Sequence, residues 1–388
     1  MNLNPQTNST EYVEGVGIYI HIPFCKQACF YCDFHFSTSL KKKDELIDAL
    51  ITELELRKSE FKNDTVATIY FGGGTPSVLS LAEIEKILTA VYTHYKVTAN
   101  PEITLEANPD DLSESKILEL SKSKINRLSI GVQSFFEADL KLMNRAHNAA
   151  EAKTCLTLAT QYFDNISVDL IYGIPGASHE QWQENIQTLL DFNIPHISSY
   201  ALTVEPKTAL DTLIKKGKIE DVNEAQAETQ FHMLISQLTT NGFQHYELSN
   251  FGKPGYFSIN NSAYWKGKKY IGIGPSAHSF TGESRSWNVS NNSKYIKAIQ
   301  SNTLPSEIEY LSVNDKYNEY VMTGLRTIWG VSIQTIETQF GSDFKSYLLA
   351  QSDKYLKAEM LYLEGDNLKV SNKGKFLSDG IASHLFKI

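Results

Sequence analysis

The stretch Gly17-Ile-Tyr-Ile-His-Ile-Pro-Phe-Cys-Lys-Gln-Ala-Cys-Phe-Tyr-Cys32 decides how the rest of the chain is read. Its first half is a strand-like run ending at Pro23. Its second half sets three cysteines at the spacing Cys25-x3-Cys29-x2-Cys32. Three thiolates so close together can hold three irons of a four-iron cluster. Such clusters are usually closed by four cysteines, and here no fourth lies nearby, so one iron stays open to a ligand. The alternative is a structural zinc ion, with His35 completing a Cys3His set at spacings that zinc accepts. Four cysteines in all, with only Cys155 outside this stretch, indicate metal usage in a reducing compartment, not a disulfide framework.

Outward from this stretch, short β-rich runs at 17–23, 66–71, 102–107, 127–132, 166–172 and 196–202 alternate with helical patterns. The runs are nearly continuous in apolar residues, as buried parallel strands are. Between them, 43–61 carries Leu46, Ile47, Leu50, Ile51 and Leu54 at helical spacing. The segments 81–95, 113–122, 136–145, 149–162 and 179–192 also read as helices. The alternation predicts an α/β fold, a parallel sheet with helices outside it. After about residue 205 it weakens, leaving a helix at 223–238. The Gly- and Asn-rich segment 250–292 reads as irregular structure over a site, and helices with a hairpin at 361–370 read as a small separate domain. The expected division is a tail at 1–16, a core at 17–240, a covering segment at 241–294 and a helical domain at 295–388.

With 388 residues, 41% hydrophobic and 21% charged, the chain has an ordinary globular composition and is long enough for two domains. No apolar stretch is long enough to span a bilayer, and the first fourteen residues lack a signal-peptide pattern, so a cytoplasmic location is expected. A net charge of −9 argues against broad nucleic-acid binding. Lys266, Lys268 and Lys269 beside Tyr264, Trp265 and Tyr270 form a local basic patch.

Unusual polar residues recur where the strands end, which is where barrels of this class place their active sites. The cysteine loop follows the first run and Gly72-Gly-Gly-Thr-Pro76 the second. Glu106 ends the third, Gln133 follows the fourth, Asp169 lies in the fifth, and Tyr200-Ala201 closes the sixth. The glycines match no phosphate-binding motif; they suit a backbone edge against a ligand. Buried Glu106 and Asp169 need polar partners. Arg145 suits a carboxylate, or caps the helix it ends.

These motifs resemble a known family. The cysteine spacing is that of the radical S-adenosylmethionine (SAM) family. Tyr19-Ile-His-Ile-Pro-Phe-Cys25, Phe71-Gly-Gly-Gly-Thr-Pro76, Arg127-Leu-Ser-Ile-Gly-Val-Gln-Ser-Phe135, Val168-Asp-Leu-Ile-Tyr-Gly-Ile-Pro-Gly176 and Tyr246-Glu-Leu-Ser-Asn-Phe251 together resemble the oxygen-independent coproporphyrinogen III oxidases, and within them the HemW-type haem-chaperone branch. The resemblance implies an incomplete (β/α)6 barrel followed by a smaller, mainly helical domain. It implies that Cys25, Cys29 and Cys32 ligate a [4Fe-4S] cluster whose open iron takes SAM. Tyr19, Tyr31, Gly73 and Glu106 match positions holding that SAM. Gly74, Thr75, Gln133, Arg145, Asp169 and Ala201 match positions holding a second SAM in the oxidases.

Two features separate chaperone from oxidase. The oxidases carry an extra cysteine two positions after the third ligand, where this chain has Phe34, and an N-terminal extension, where only 24 residues precede Cys25. The chaperone branch carries H-N-x-x-Y-W, associated with haem. Here Asn261, Tyr264 and Trp265 match, but Asn260 replaces the histidine, and an amide is a poor axial ligand. His278 is the first choice for the axial ligand, with His245 and Cys155 as alternatives. The resemblance therefore implies haem as ligand and a haem-accepting protein as partner. Membrane association could come through that acceptor, since no segment reads as an anchor. The alternatives are coproporphyrinogen decarboxylation and radical SAM chemistry on another substrate.

Overall fold

A computed structural model describes residues 15–388, so the tail expected over 1–16 lies almost wholly outside the described residues. Six parallel strands alternate with helices: β1 (Val16–Ile22), α1 (Lys43–Leu56), β2 (Val66–Gly73), α2 (Leu81–His94), β3 (Val97–Ala107), α3 (Glu114–Ser121), β4 (Arg127–Gln133), α4 (Glu137–Leu142), α5 (Ala149–Tyr162), β5 (Ile166–Tyr172), α6 (His179–Asp191) and β6 (His196–Ala201). They pair in sequence order. Local chemistry sets the boundaries. Capping boxes open α2 (Ser80 with Glu83), α5 (Asn148 with Glu151) and α6 (Ser178 with Gln181). Ile18, Ile20 and Ile22 join Leu46, Leu50 and Leu54 of α1 in the main core, while Tyr19 and His21, one residue out of phase, face the lumen.

The barrel is incomplete because β1 and β6 do not pair. After α7 (Ala209–Lys215) and α8 (Glu224–Thr240), the chain forms β7 (Gln244–Glu247) and β8 (Asn250–Gly252), and β8 adds antiparallel to β6. After α9 (Ile259–Trp265), β9 (Tyr270–Ile273) adds parallel to β1. The sheet then continues through β10 (His278–Phe280) and β11 (Ser284–Asn288). The segment expected to be irregular at 241–294 therefore carries regular strands that extend both edges of the sheet. Its glycines misled the reading: Gly274 and Gly282 sit at the turns with positive φ, and Gly272 lies where β10 backbone approaches too closely for a side chain.

The boundary expected at residue 295 also moves. Tyr295, Ile296 and Ile299 of α10 (Asn292–Gln300) belong to the main core against α1, and β12 (Ser306–Tyr310) is the last strand of the large sheet. The separate helical unit starts at α11 (Val313–Leu325). It continues through β13 (Val331–Ser332), α12 (Ile333–Phe340), α13 (Ser342–Lys357), the hairpin β14 (Leu361–Glu364) and β15 (Asn367–Val370), and α14 (Ser378–His384). Tyr317, Val321, Leu348, Leu368 and Leu385 form its own core. The helix expected over 43–61 ends at Leu56, and the Arg57 side chain that follows it turns inward to the β9–β10 hairpin. Among the described residues no helix is long and apolar enough to cross a membrane.

Candidate functional site

A cavity of about 430 Å³ opens at the C-terminal ends of the barrel strands. Cys25, Cys29, Cys32 and Tyr31 line one side. Gly73, Gly74, Thr75, Glu106, Gln133, Arg145, Asp169 and Ala201 line the rest. Every residue expected at the cluster or SAM thus reaches this cavity except Tyr19. Tyr19 lies deeper, in an adjoining lumen cavity of about 230 Å³ that shares Glu106, Asp169, Ser129 and Tyr200 with the first.

The cysteine loop is held by backbone. Thr75 N donates to Phe24 O at 2.7 Å, Gly74 N to Ile22 O at 2.9 Å, and Cys25 N to Ser37 O at 3.1 Å. Asn144, in the left-handed region at φ 55°, donates from Nδ2 to Ala28 O at 2.7 Å. All three cysteines are free thiols and half-buried. Burial holds Cys32 up to about 11 and raises Cys25, so metal binding has to displace their protons. A zinc ion would need His35 beside the three thiols as a fourth donor within about 2.3 Å of one point. His35 bonds Asn292 Oδ1 at 2.7 Å instead. A four-iron cluster accepts thiolates standing farther apart.

The cavity wall suits such an anionic group. Arg145 donates to Cys29 Sγ at 3.2 Å, Asn108 Oδ1 at 2.7 Å and Gly131 O at 2.6 Å, and its Nε is buried with no hydrogen-bond partner. That guanidinium enters the cavity and does not cap α4. A carboxylate or the cluster would offset its charge. The glycines let the β2 edge pack directly on the start of the cysteine loop: a Cβ on Gly74 would lie 2.7 Å from Ile22 O and Phe24 O, and Gly73 holds φ 104° with His21 against it. Gln133, at φ 71°, carries strain of the kind that clusters at ligand sites. Within this structure the residues therefore fit a three-thiolate cluster and an amino-acid-like ligand.

Glu106 accepts from Tyr70 Oη at 2.7 Å and Gly73 N at 3.2 Å, and burial pushes its carboxyl up to about 7. Burial lifts Asp169 to about 6, despite hydroxyl bonds from Ser198 and Ser129. Among the described residues neither has a cationic partner at ion-pair distance, which leaves Glu106 ready for an ammonium. A pH dependence follows. Ordinary values are about 4.3 for Glu and 3.9 for Asp, so between about pH 4 and 7 the folded state holds more protons than the unfolded one. Stability of the ligand-free protein then falls as pH rises through that window, by an amount on the order of 3–4 kcal/mol for Glu106. Melting temperatures at pH 5 and 7.5 should differ less in Glu106→Gln than in wild type. An equal drop in both would remove Glu106 as the cause.

The expected haem residues divide, with Asn261 and Tyr264 in the lumen and Trp265 and His278 elsewhere. α9 lies across the strand starts: Ile259 N and Asn260 N donate to Glu102 of β3, and Asn261 Nδ2 contacts Glu247 of β7. Asn261 and Tyr264 face the lumen. Trp265 sits beneath Arg326, 5.2 Å from ring to guanidinium. Asn260 is buried in the wall of the same lumen cavity and accepts from Thr68 Oγ1 at 2.8 Å. His278 is exposed on β10, 6.1 Å from the ring of Trp287, with no hydrogen bond on its imidazole. His245 has both nitrogens engaged, by Leu248 O and Lys375, and Cys155 is buried in the main core.

Sequence reading missed Tyr70, Asn108, Arg127 and the serines of the lumen. Their signal was period two: Arg127/Ser129/Gly131/Gln133, Ser167/Asp169 and His196/Ser198/Tyr200 place polar or small residues at alternate positions of runs that otherwise read as apolar.

Comparison with known proteins agrees with this geometry. The radical SAM superfamily profile matches residues 19–189 and the HemN C-terminal domain profile matches 311–377. The heme chaperone HemW of Lactococcus lactis is 34% identical, covering 94% of this chain and 95% of its own. HemW of Bacillus subtilis is 31% identical, covering 94% and 97%. Among solved structures, coproporphyrinogen III oxidase (HemN) from Escherichia coli superposes with a TM-score of 0.84 over 97% of this chain and 92% of its own, at 24% identity, a likeness of fold. With the three-cysteine loop at the mouth of an incomplete barrel and this full-length likeness, the chain belongs to the radical SAM superfamily and, within it, to the HemW family.

Proposed function

We propose that this protein is a haem chaperone on a radical SAM body, binding haem and passing it to an acceptor protein. The observation that carries this reading is the full-length likeness to relatives named heme chaperones. Phe34 supports it: this side chain, 68% exposed at the cavity rim, stands where the oxidases resemble one another in a further cysteine. Membership implies a four-iron cluster and SAM. Cys25, Cys29 and Cys32 would hold the cluster. A cluster bound there would supply one-electron reducing chemistry beside the SAM site. Glu106 and the Gly73 backbone edge accept and orient the SAM amino group, with Tyr19 below and Tyr31 at the mouth. Arg145 offsets negative charge. Gly74, Thr75, Gln133, Asp169 and Ala201 complete the cavity wall, at the positions that match a second SAM in the oxidases.

His278 is the axial haem ligand in this reading. It is exposed, its imidazole is unengaged, and Trp287 beside it offers a flat face for a porphyrin. Asn261, Tyr264 and Trp265 serve haem binding by holding α9 across the barrel floor. His278→Ala should weaken haem binding by about tenfold or more, equivalent to about 1.4 kcal/mol, and should shift the haem absorbance bands. An unchanged spectrum and affinity would remove His278 from the site. Anaerobic incubation with SAM, reductant and coproporphyrinogen III should leave the porphyrinogen carboxyls intact. Decarboxylated product would sink the chaperone reading in favour of an oxidase.

A further inference from the structure

A second cleft, of about 350 Å³, lies between the barrel body and the C-terminal unit, away from the cysteine loop. His245 and Glu247 of β7 line one wall. Arg326 after α11, Lys369 of β15, Lys375 and Ser378 line the others. Donors there outnumber free acceptors. Ser378 is 2% exposed and its hydroxyl has no partner. Arg326 Nε is buried without a hydrogen bond, although Asp379 Oδ1 stands 3.3 Å away at the exposed rim. Lys375 Nζ donates to His245 Nδ1 at 3.0 Å, a neutral acceptor. Lys369 is paired with Glu364. The one carboxylate in the wall, Glu247, is already engaged by Ser249 N, Asn250 and Asn261.

We propose that this interdomain cleft binds an oxyanion, a carboxylate or phosphate, between Lys375, Arg326 and Ser378. Ser378 is a buried donor without an acceptor, Lys375 meets only a neutral imidazole, and Arg326 meets one carboxylate at the rim; a multivalent oxyanion accepts from all three at once. Burial without a counterion pulls Lys375 down to about 8, as expected for a desolvated ammonium awaiting an anion. The cleft exceeds the size of one phosphate, so the oxyanion can be free or can end a larger molecule, such as the acidic arm of a porphyrin. Occupancy would be felt at the barrel floor, because Arg326 lies over Trp265 and Glu247 is bonded to Asn261, both on α9.

The experiment uses the full chain and two probes. In the first arm, inorganic phosphate replaces chloride at equal ionic strength, and the melting temperature should rise by about 3 °C. Lys375→Met and Ser378→Ala should each abolish the rise, and Lys375→Arg should keep it. In the second arm, haem is compared with its dimethyl ester, whose carboxylates are blocked. If the porphyrin supplies the oxyanion, haem binds about tenfold more tightly than the ester, and Lys375→Met closes the gap. If Lys375→Met does not fold, Ser378→Ala and Arg326→Gln carry both arms. A rise that persists in the variants places the anion elsewhere and overturns the proposal. So does the absence of both the phosphate shift and the ester gap. The second arm rests on the haem-chaperone reading and the first does not: a protein that binds no haem loses that reading while phosphate still decides the cleft.

Discussion

Replacing Cys29 by alanine should strip iron and acid-labile sulfide from the reconstituted protein while leaving the fold in place. Cys29 is the middle cysteine of the loop, its Sγ faces the cavity, and Arg145 donates to it at 3.2 Å. Without it only Cys25 and Cys32 remain on that wall, two thiolates for a cluster that needs three. The loop backbone is held independently of the thiol, through Thr75, Ser37 and Asn144. Loss of the half-exposed thiol should therefore change stability by no more than about 1 kcal/mol. Cys155→Ala should retain the cluster, because Cys155 is buried in α5, apart from the site. Unchanged iron and sulfide in Cys29→Ala would sink the cluster assignment. Haem binding offers a further separation: with His278 on β10 as the ligand, Cys29→Ala should still bind haem.

The largest loss of stability is expected at a residue far from that cavity. Glu53 of α1 is fully buried. It accepts from Gly274 N at 2.8 Å, Asn288 Nδ2 at 2.8 Å and Tyr295 Oη at 2.5 Å, and it pairs with Arg57 at 3.4 Å. One carboxylate thereby ties α1 to the turn after β9, to β11 and to α10, the elements that extend the β1 edge of the sheet. Removing one partner of a buried ionic network leaves the others desolvated and unpaired, at a cost of about 3–5 kcal/mol. Glu53→Ala should show that loss in denaturant unfolding, and Glu53→Gln, which keeps an acceptor, should recover part of it. A variant within about 1 kcal/mol of wild type would mean that water or relaxation satisfies Arg57 and Asn288 instead.

Much of the barrel was legible because its signals are local. The runs of β1 to β6 are apolar enough to announce buried parallel strands, and caps such as Asn148 with Glu151 mark helix starts within four residues. Cys25, Cys29 and Cys32 announce a metal site by spacing alone. The strand-end residues Glu106, Gln133 and Asp169 could be assigned to one site because a parallel barrel brings all strand ends to the same face. The haem residues behaved differently. Asn261, Tyr264, Trp265 and His278 lie within eighteen positions of one another, yet α9 runs under the barrel while β10 lies on the extended edge, and the fold sends them to different surroundings.

The sequence by itself determined the strand–helix alternation, the three-thiol loop and the glycine run after β2, since each depends on neighbours a few residues apart. Only the tertiary structure decided that 241–294 extends the sheet, that α10 belongs to the barrel core, and that Glu53, in a helix rich in surface acids, is the one buried as a hub. It also decided that Lys375, Arg326 and Ser378 converge on one cleft. These outcomes depend on pairing across 50 to more than 200 residues of chain. There, desolvation and the partners found on other elements set each group's role, and neither can be read from the spacing of residues along the chain.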